Sequence, residues 1–190
     1  MNVLLLTSIL HPDLGALKKS IESNKQRSVK IIKIDDFKGQ VEDYQLVIFY
    51  QPNKSFENII NKVKLNNSNY LLISGANTDW NFINQKQLGF NKNAISKTEN
   101  YGAIYNDAFL TFLQEDIGFN NYPPLIDKFG EIYISKEHQT LVHQNIKGMQ
   151  TNQPLLVTFD INSQKSGVLF GEGLWKWRAA SFLNSNSFID

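Results

Sequence analysis

Four short segments hold the residues whose types and spacing suit chemistry. The first is Ser8-Ile9-Leu10-His11-Pro12-Asp13, where His11 is a possible base or ligand and Asp13 a carboxylate able to orient it. The same residues also read as a helix start, because proline suits the first helical position and an acidic residue complements the helix dipole. The second is Gly75-Ala76-Asn77-Thr78-Asp79-Trp80. Free backbone N–H groups at a helix start can hold an anion, and Thr78 and Asp79 are candidate contacts. Asn77, Thr78 or Asp79 is equally suited to capping the helix that follows. The third is Gly171-Glu172-Gly173-Leu174-Trp175-Lys176-Trp177-Arg178. Glu172, Trp175 and Arg178 make it the most informative of the four, although two glycines also serve a tight strand-to-helix turn. On a helix Trp175 and Trp177 must point in different directions, one to the core and one to the rim. Arg178, three residues past Trp175, shares its face. The last is the pair His138 and His143, which face opposite sides of one strand and so make a poor shared metal site.

These segments matter because of the elements that carry them. Apolar runs at residues 3–7, 29–34, 46–50 and 70–73 are near-continuous rather than alternating, and helical spacings separate them (Leu14, Leu17, Ile21; Phe56, Ile59, Ile60, Val63). That pattern predicts parallel strands covered on both faces, with right-handed crossovers. Ligands of such sheets bind beyond the carboxyl ends of the strands, where the first three segments fall. Residues 91–127 read as irregular, with a short helical pattern around Ala108, Phe109, Phe112 and Leu113 and a break at Pro123-Pro124. Strands are expected at 131–135, 140–144 and 155–160, with short links that suit antiparallel neighbours. A last strand at 168–170 leads into a helix over 174–183. The expected architecture is an α/β, three-layer sandwich with a mainly parallel sheet and an antiparallel β extension in the C-terminal half. Residues 1–190 read as a single domain cut from a longer protein.

Composition removes several function classes. With 19 basic and 18 acidic side chains the net charge is +1, and Lys54, Lys62 and Lys64 are scattered among polar residues, so no nucleic-acid surface is expected. The chain has no cysteine, which excludes disulfides, thiolate metal sites and cysteine nucleophiles together. No apolar stretch approaches the roughly 20 residues of a membrane span. The loop after the first strand lacks the glycines of a dinucleotide fingerprint, so no such cofactor is expected. Ser74 lacks the Gly-x-Ser-x-Gly elbow that exposes a nucleophile.

The chain resembles the class I glutamine amidotransferase-like domains, which have a flavodoxin-like fold. More narrowly, it resembles the version found within uncharacterised bacterial membrane-anchored proteins, some of which also carry a von Willebrand factor A-like domain. The resemblance rests on His11-Pro12-Asp13-Leu14, on the stretch from Asp43 to Ile48, on Ile73-Ser74-Gly75 with Thr78-Asp79, on Tyr122-Pro123-Pro124-Leu125, and above all on the stretch from Gly167 to Arg178. It implies a domain displayed outside the cytoplasm, attached to a membrane only through its parent protein. Amidotransferases take ammonia from glutamine with a cysteine thiolate and a histidine base. Without cysteine, that route is closed here.

The leading expectation is therefore a non-catalytic interaction or ligand-sensing domain of a bacterial envelope protein, with no cofactor and no metal. Its ligand contacts are expected among His11, Asp13, Thr78, Asp79, Glu172, Trp175 and Arg178, and its partner is a protein or small molecule of unspecified kind. The alternative is a hydrolase-like or metal-dependent enzyme built on His11, Asp79 and Glu172 at the strand ends.

Overall fold

A computed structural model describes residues 1–184, with side chains through residue 182. The first half alternates strands and helices: β1 (Asn2–Thr7), α1 (Pro12–Ile21), β2 (Ser28–Lys33), β3 (Leu46–Tyr50), α2 (Glu57–Leu65), β4 (Tyr70–Ile73) and α3 (Trp80–Gln85). Five strands follow, β5 (Phe90–Tyr105), β6 (Leu125–Ile134), β7 (Gln139–Ile146), β8 (Met149–Ile161) and β9 (Gln164–Leu169), and then α4 (Leu174–Asn184). They form one nine-stranded sheet in the order β2-β1-β3-β4-β9-β8-β7-β5-β6. The strands β2, β1, β3, β4 and β9 run parallel. From β9 onward every neighbour is antiparallel. The fold is mixed α/β, parallel at one end and antiparallel at the other.

Strand alternation splits the core into two layers. Leu4, Leu6, Val47, Phe49 and Leu72 point to the face covered by α2 and α3, where Ile60, Val63, Trp80 and Ile83 meet them. Val3, Leu5, Ile48, Tyr50 and Ile73 point to the opposite face, against Leu14 and Leu17 of α1 and Leu174 and Trp177 of α4. Both sets are buried, which is why these strands read as continuous apolar runs. Trp177 is buried and Trp175 is exposed, the division that helical geometry requires.

The segment expected to be irregular contains the longest strand. β5 spans 16 residues, pairing with β6 through Tyr101 and then with β7 from Gly102. Its middle, Ile95–Glu99, is partly or wholly exposed and largely polar, so no apolar alternation marks it. The register shifts between Ala94 and Thr98, opposite Gly130 and Lys128. Gly130 is required there, since a Cβ would collide with the Asn93 carbonyl and lie 2.7 Å from the Ala94 Cα. The helical pattern around residues 108–113 forms no helix. Phe109 is buried in the core and its ring meets Phe112 edge-on at 4.8 Å, a local aromatic pair whose spacing imitates a helix face. His138 lies just outside β7, with Nδ1 2.9 Å from the Lys136 carbonyl, so it does not share a strand with His143.

Candidate functional site

The carboxyl ends of β1, β3, β4 and β9 converge on one polar cluster. The chain leaves β1 through a turn in which Thr7 Oγ1 accepts from Ile9 N (3.1 Å) and donates to its carbonyl (2.8 Å). His11 then caps α1, its Nδ1 accepting from Asp13 N at 3.2 Å, and Pro12 takes the first helical position.

Asp13 is completely buried at the centre of this arrangement. Its carboxylate accepts from Gly173 N at 2.7 Å, Trp175 N at 2.8 Å and the Tyr50 hydroxyl at 2.9 Å. Two of those donors are backbone N–H groups at the start of α4 that have no partner within the helix. Asp13 thus ties the first turns of α1 and α4 together, and both helix dipoles favour its charge.

Tyr50 ends β3, and its hydroxyl lies 2.7 Å from His11 Nδ1 as well as against Asp13. Burial, and secondly the Asp13 charge, push its phenol far above the ordinary tyrosine range, so it stays protonated. One phenolic proton serves two acceptors. With Nδ1 facing two donors, the neutral His11 ring carries its proton on Nε2, the nitrogen left for an external partner.

Next along the chain, Gln51 is buried in a left-handed backbone conformation (φ 47°). Its amide nitrogen donates to Glu172 Oε2, and its amide oxygen accepts from Asn77 N at 2.8 Å. A Cβ at Gly75 would run into the Glu172 carboxylate and the Gln51 amide carbon, so the turn after β4 needs glycine for space. Gly75 N donates to Thr78 Oγ1 at 2.9 Å, which fixes that turn.

Glu172 follows β9 and exchanges two backbone hydrogen bonds with Ile126, both 2.9 Å. Its half-buried carboxyl titrates above the usual carboxylate range. Burial is the main cause, and nearby His11 and the Gln51 amide oppose it.

β6 supports this cluster with three consecutive residues. Ile126 holds the Glu172 backbone, Asp127 accepts from Ser74 Oγ at 2.7 Å, and Lys128 Nζ donates to the Thr78 carbonyl at 2.8 Å.

Of the residues singled out from the sequence, the structure joins His11, Asp13 and the Trp175 N–H through hydrogen bonds around Asp13 and Tyr50, and holds Glu172 beside them on Gln51 and Ile126. Thr78 is buried and shapes the adjoining turn. Asp79 caps α3, with Oδ1 accepting from Phe82 N at 3.0 Å. The Arg178 guanidinium stacks over Phe182 at 4.7 Å. The metal-dependent site expected on His11, Asp79 and Glu172 is not assembled, because the described residues contain no group of three or more such side chains able to hold an ion. Asp79 Oδ1 turns instead to the Phe82 N–H at the start of α3. Sequence reasoning missed Tyr50 and Gln51, whose signal was a tyrosine and an amide at the carboxyl end of an otherwise apolar strand.

No protein-family model matches the chain, and no curated protein does either. Solved structures share its fold at low identity. A candidate GMP synthase component from Thermoplasma acidophilum is 8% identical with a TM-score of 0.55, over 97% of this chain and 92% of that one. A β-galactosidase from Rahnella sp. R3 is 11% identical with a TM-score of 0.57, over 97% of this chain but 31% of the other. An exo-β-1,4-mannosidase from Opitutaceae bacterium strain TAV5 is 10% identical with a TM-score of 0.58, over 96% of this chain and 33% of that one. The chain spans about a third of each glycosidase and nearly the whole of the synthase component. At these identities the likeness concerns the fold alone.

Proposed function

We propose that this chain is a non-catalytic binding domain of a flavodoxin-like, amidotransferase-related type. It senses a polar ligand at the carboxyl ends of its parallel strands, within a bacterial envelope protein. One observation carries the reading: the buried groups at this end are engaged with one another, while His11 Nε2 and the half-buried Glu172 carboxyl, held by Gln51, stand at their edge where an outside partner can reach them. Ser74, the hydroxyl that follows β4, is fully buried and bonded to Asp127, so it offers no nucleophile to solvent. Asp13 keeps neither oxygen free. A donor on His11 and an acceptor on Glu172 suit a ligand bearing both kinds of hydrogen-bonding group, with the exposed Trp175 ring adjoining through α4. The envelope setting rests on the resemblance of the Gly167–Arg178 stretch. Among the described residues no helix is long and apolar enough to cross a membrane.

The hydrolase-like alternative has one observation in its favour. A half-buried carboxyl whose pKa is raised by burial, beside a histidine, has the character of a general acid.

The test is a thermal-shift screen of amino acids, sugars, nucleotides and divalent metals against the wild type and Glu172→Gln. A ligand that binds only the folded state raises Tm as its concentration exceeds Kd. A shift abolished by Glu172→Gln and by His11→Ala supports the ligand-sensing reading. A shift that survives both substitutions moves the site elsewhere, and a flat screen removes small-molecule sensing. Turnover of any bound compound, lost in Glu172→Gln, transfers the case to the enzyme.

A further inference from the structure

Behind the strand-end cluster lies a second group of polar side chains that the binding reading does not use. Lys92 on β5 and Asp127 on β6 form an ion pair, Nζ to Oδ2 2.8 Å, with both side chains 0% exposed. Aromatic rings wall the ammonium: Tyr101 at 5.2 Å, Trp80 at 5.5 Å and Phe170 at 6.0 Å from ring centroid to Nζ. Ser74 Oγ donates to the same Oδ2 at 2.7 Å, while Oδ1 accepts from Lys128 N at 2.8 Å. The indole nitrogen of Trp80 is buried with no acceptor. Two unlike charges have been drawn out of water, an expensive arrangement that apolar residues of similar size would replace at little or no loss.

The geometry points to a covalent outcome: Lys92 and Asp127 are the precursors of an intramolecular amide bond between Nζ and Cγ. The two carboxylate oxygens are already divided by role. Oδ1 rests on a backbone N–H, the donor that stabilises the oxyanion of a tetrahedral intermediate. Oδ2 faces two proton donors, as a leaving oxygen must.

The step balances without any co-reactant. One ammonium proton passes to Oδ2, leaving a neutral amine and a neutral acid. The nitrogen lone pair then forms the N–Cγ bond as electrons move onto Oδ1. Collapse re-forms the carbonyl and breaks Cγ–Oδ2, and Oδ2 departs as water with a second proton from the nitrogen. Ser74 Oγ hydrogen-bonds the departing oxygen and is unchanged.

Burial acts in the required direction, since it pulls the Lys92 pKa down toward the neutral, nucleophilic amine. The two groups are held in contact within one folded chain, which gives the reaction a high effective molarity. The water-excluding aromatic wall opposes the reverse hydrolysis. The bond would cross-link positions 35 residues apart in a chain that has no cysteine for a disulfide.

Intact mass under denaturing conditions tests this on the purified full chain. After allowance for N-terminal processing, the folded protein is expected to be lighter than its sequence by one water. Tryptic digestion should give no cleavage after Lys92 and a branched peptide joining Lys92 to Asp127. Lys92→Arg should recover the full sequence mass. Asp127→Asn should lose ammonia instead of water and arrive at the wild-type product mass. A wild-type chain that keeps its sequence mass after prolonged incubation, with separate Lys92 and Asp127 peptides, overturns the proposal and leaves an ion pair alone. A water loss mapped to any other residues overturns it equally.

Discussion

Asp13 and Asp127 are both completely buried carboxylates, and each ties together elements remote in sequence, but they are neutralised in different ways. Asp13 is surrounded by dipoles: two backbone N–H groups of α4 and the Tyr50 hydroxyl, with the capping His11 beside it. Asp127, before any bond to it forms, faces the Lys92 ammonium, helped by Ser74 and by its neighbour's N–H. The comparison teaches that a helix start can accommodate a buried charge with groups the fold already possesses. A sheet interior must import a counter-charge. Removing Asp13 strands neutral donors, two backbone N–H groups and a phenol, whereas removing Asp127 strands an ammonium among aromatic rings.

The largest expected effect follows from that difference. Asp127→Ala should lose about 3–5 kcal/mol in urea unfolding, the cost of an uncompensated buried charge. Lys92→Met should lose less, because the carboxylate left behind keeps Ser74 and the Lys128 N–H. If the two variants proved equally damaging, the asymmetry between charge and dipole would be broken.

Asp13→Ala comes next, at roughly 2–4 kcal/mol, since it removes hydrogen bonds to a charged acceptor and leaves buried donors unpaired. Hydrogen exchange should localise the loss to the first turns of α1 and α4. An even loss across the sheet would refute the view of Asp13 as a local tie.

Gly75→Ala should cost about 1–3 kcal/mol as Gln51 and Glu172 yield to the new methyl group. It should also weaken any ligand response in the thermal-shift screen, a double readout that a remote packing defect would not give. His11→Ala should cost about 1 kcal/mol, the usual loss of an N-cap side chain.

The smallest effect is a slope with pH. Glu172 titrates higher in the fold than its ordinary value of 4.5, so the folded state holds the proton more tightly than the unfolded chain. Stability should therefore fall as pH rises from about 4.5 toward neutrality, and Glu172→Gln should flatten that part of the curve. A Tm profile of both proteins over this range checks the sign.

The two halves of the molecule differ in how openly they announce themselves. Strands β1, β3 and β4 are buried on both faces, and their unbroken runs of Val, Leu, Ile and Phe expose them in the sequence. Strand β5 is long, interrupted by a register shift and polar in its middle. It is specified by its partners β6 and β7 rather than by its own pattern. Among site residues, His11, Asp13 and Glu172 were legible because chemistry-bearing types stood at strand ends. Asp79 and Arg178 shared that signal and serve other contacts. Lys92 and Asp127 gave no signal at all, because a charged residue in a polar stretch reads as solvated until the fold encloses it.

The run Ile126-Asp127-Lys128 has a consequence for how this protein can vary. Three neighbouring residues of the edge strand β6 each grip a different loop of the cluster. Sliding β6 by one position would misplace all three grips at once and turn Asp127 away from the core. The loop between β5 and β6 can accept insertions at its exposed positions such as Leu113, but not where Phe109, Phe119 and Tyr122 anchor it in the core. The tolerance of the bulge at Ala94–Thr98 is opposite in kind: a single residue gained or lost there would re-aim the whole strand-end surface while leaving its amino acids untouched.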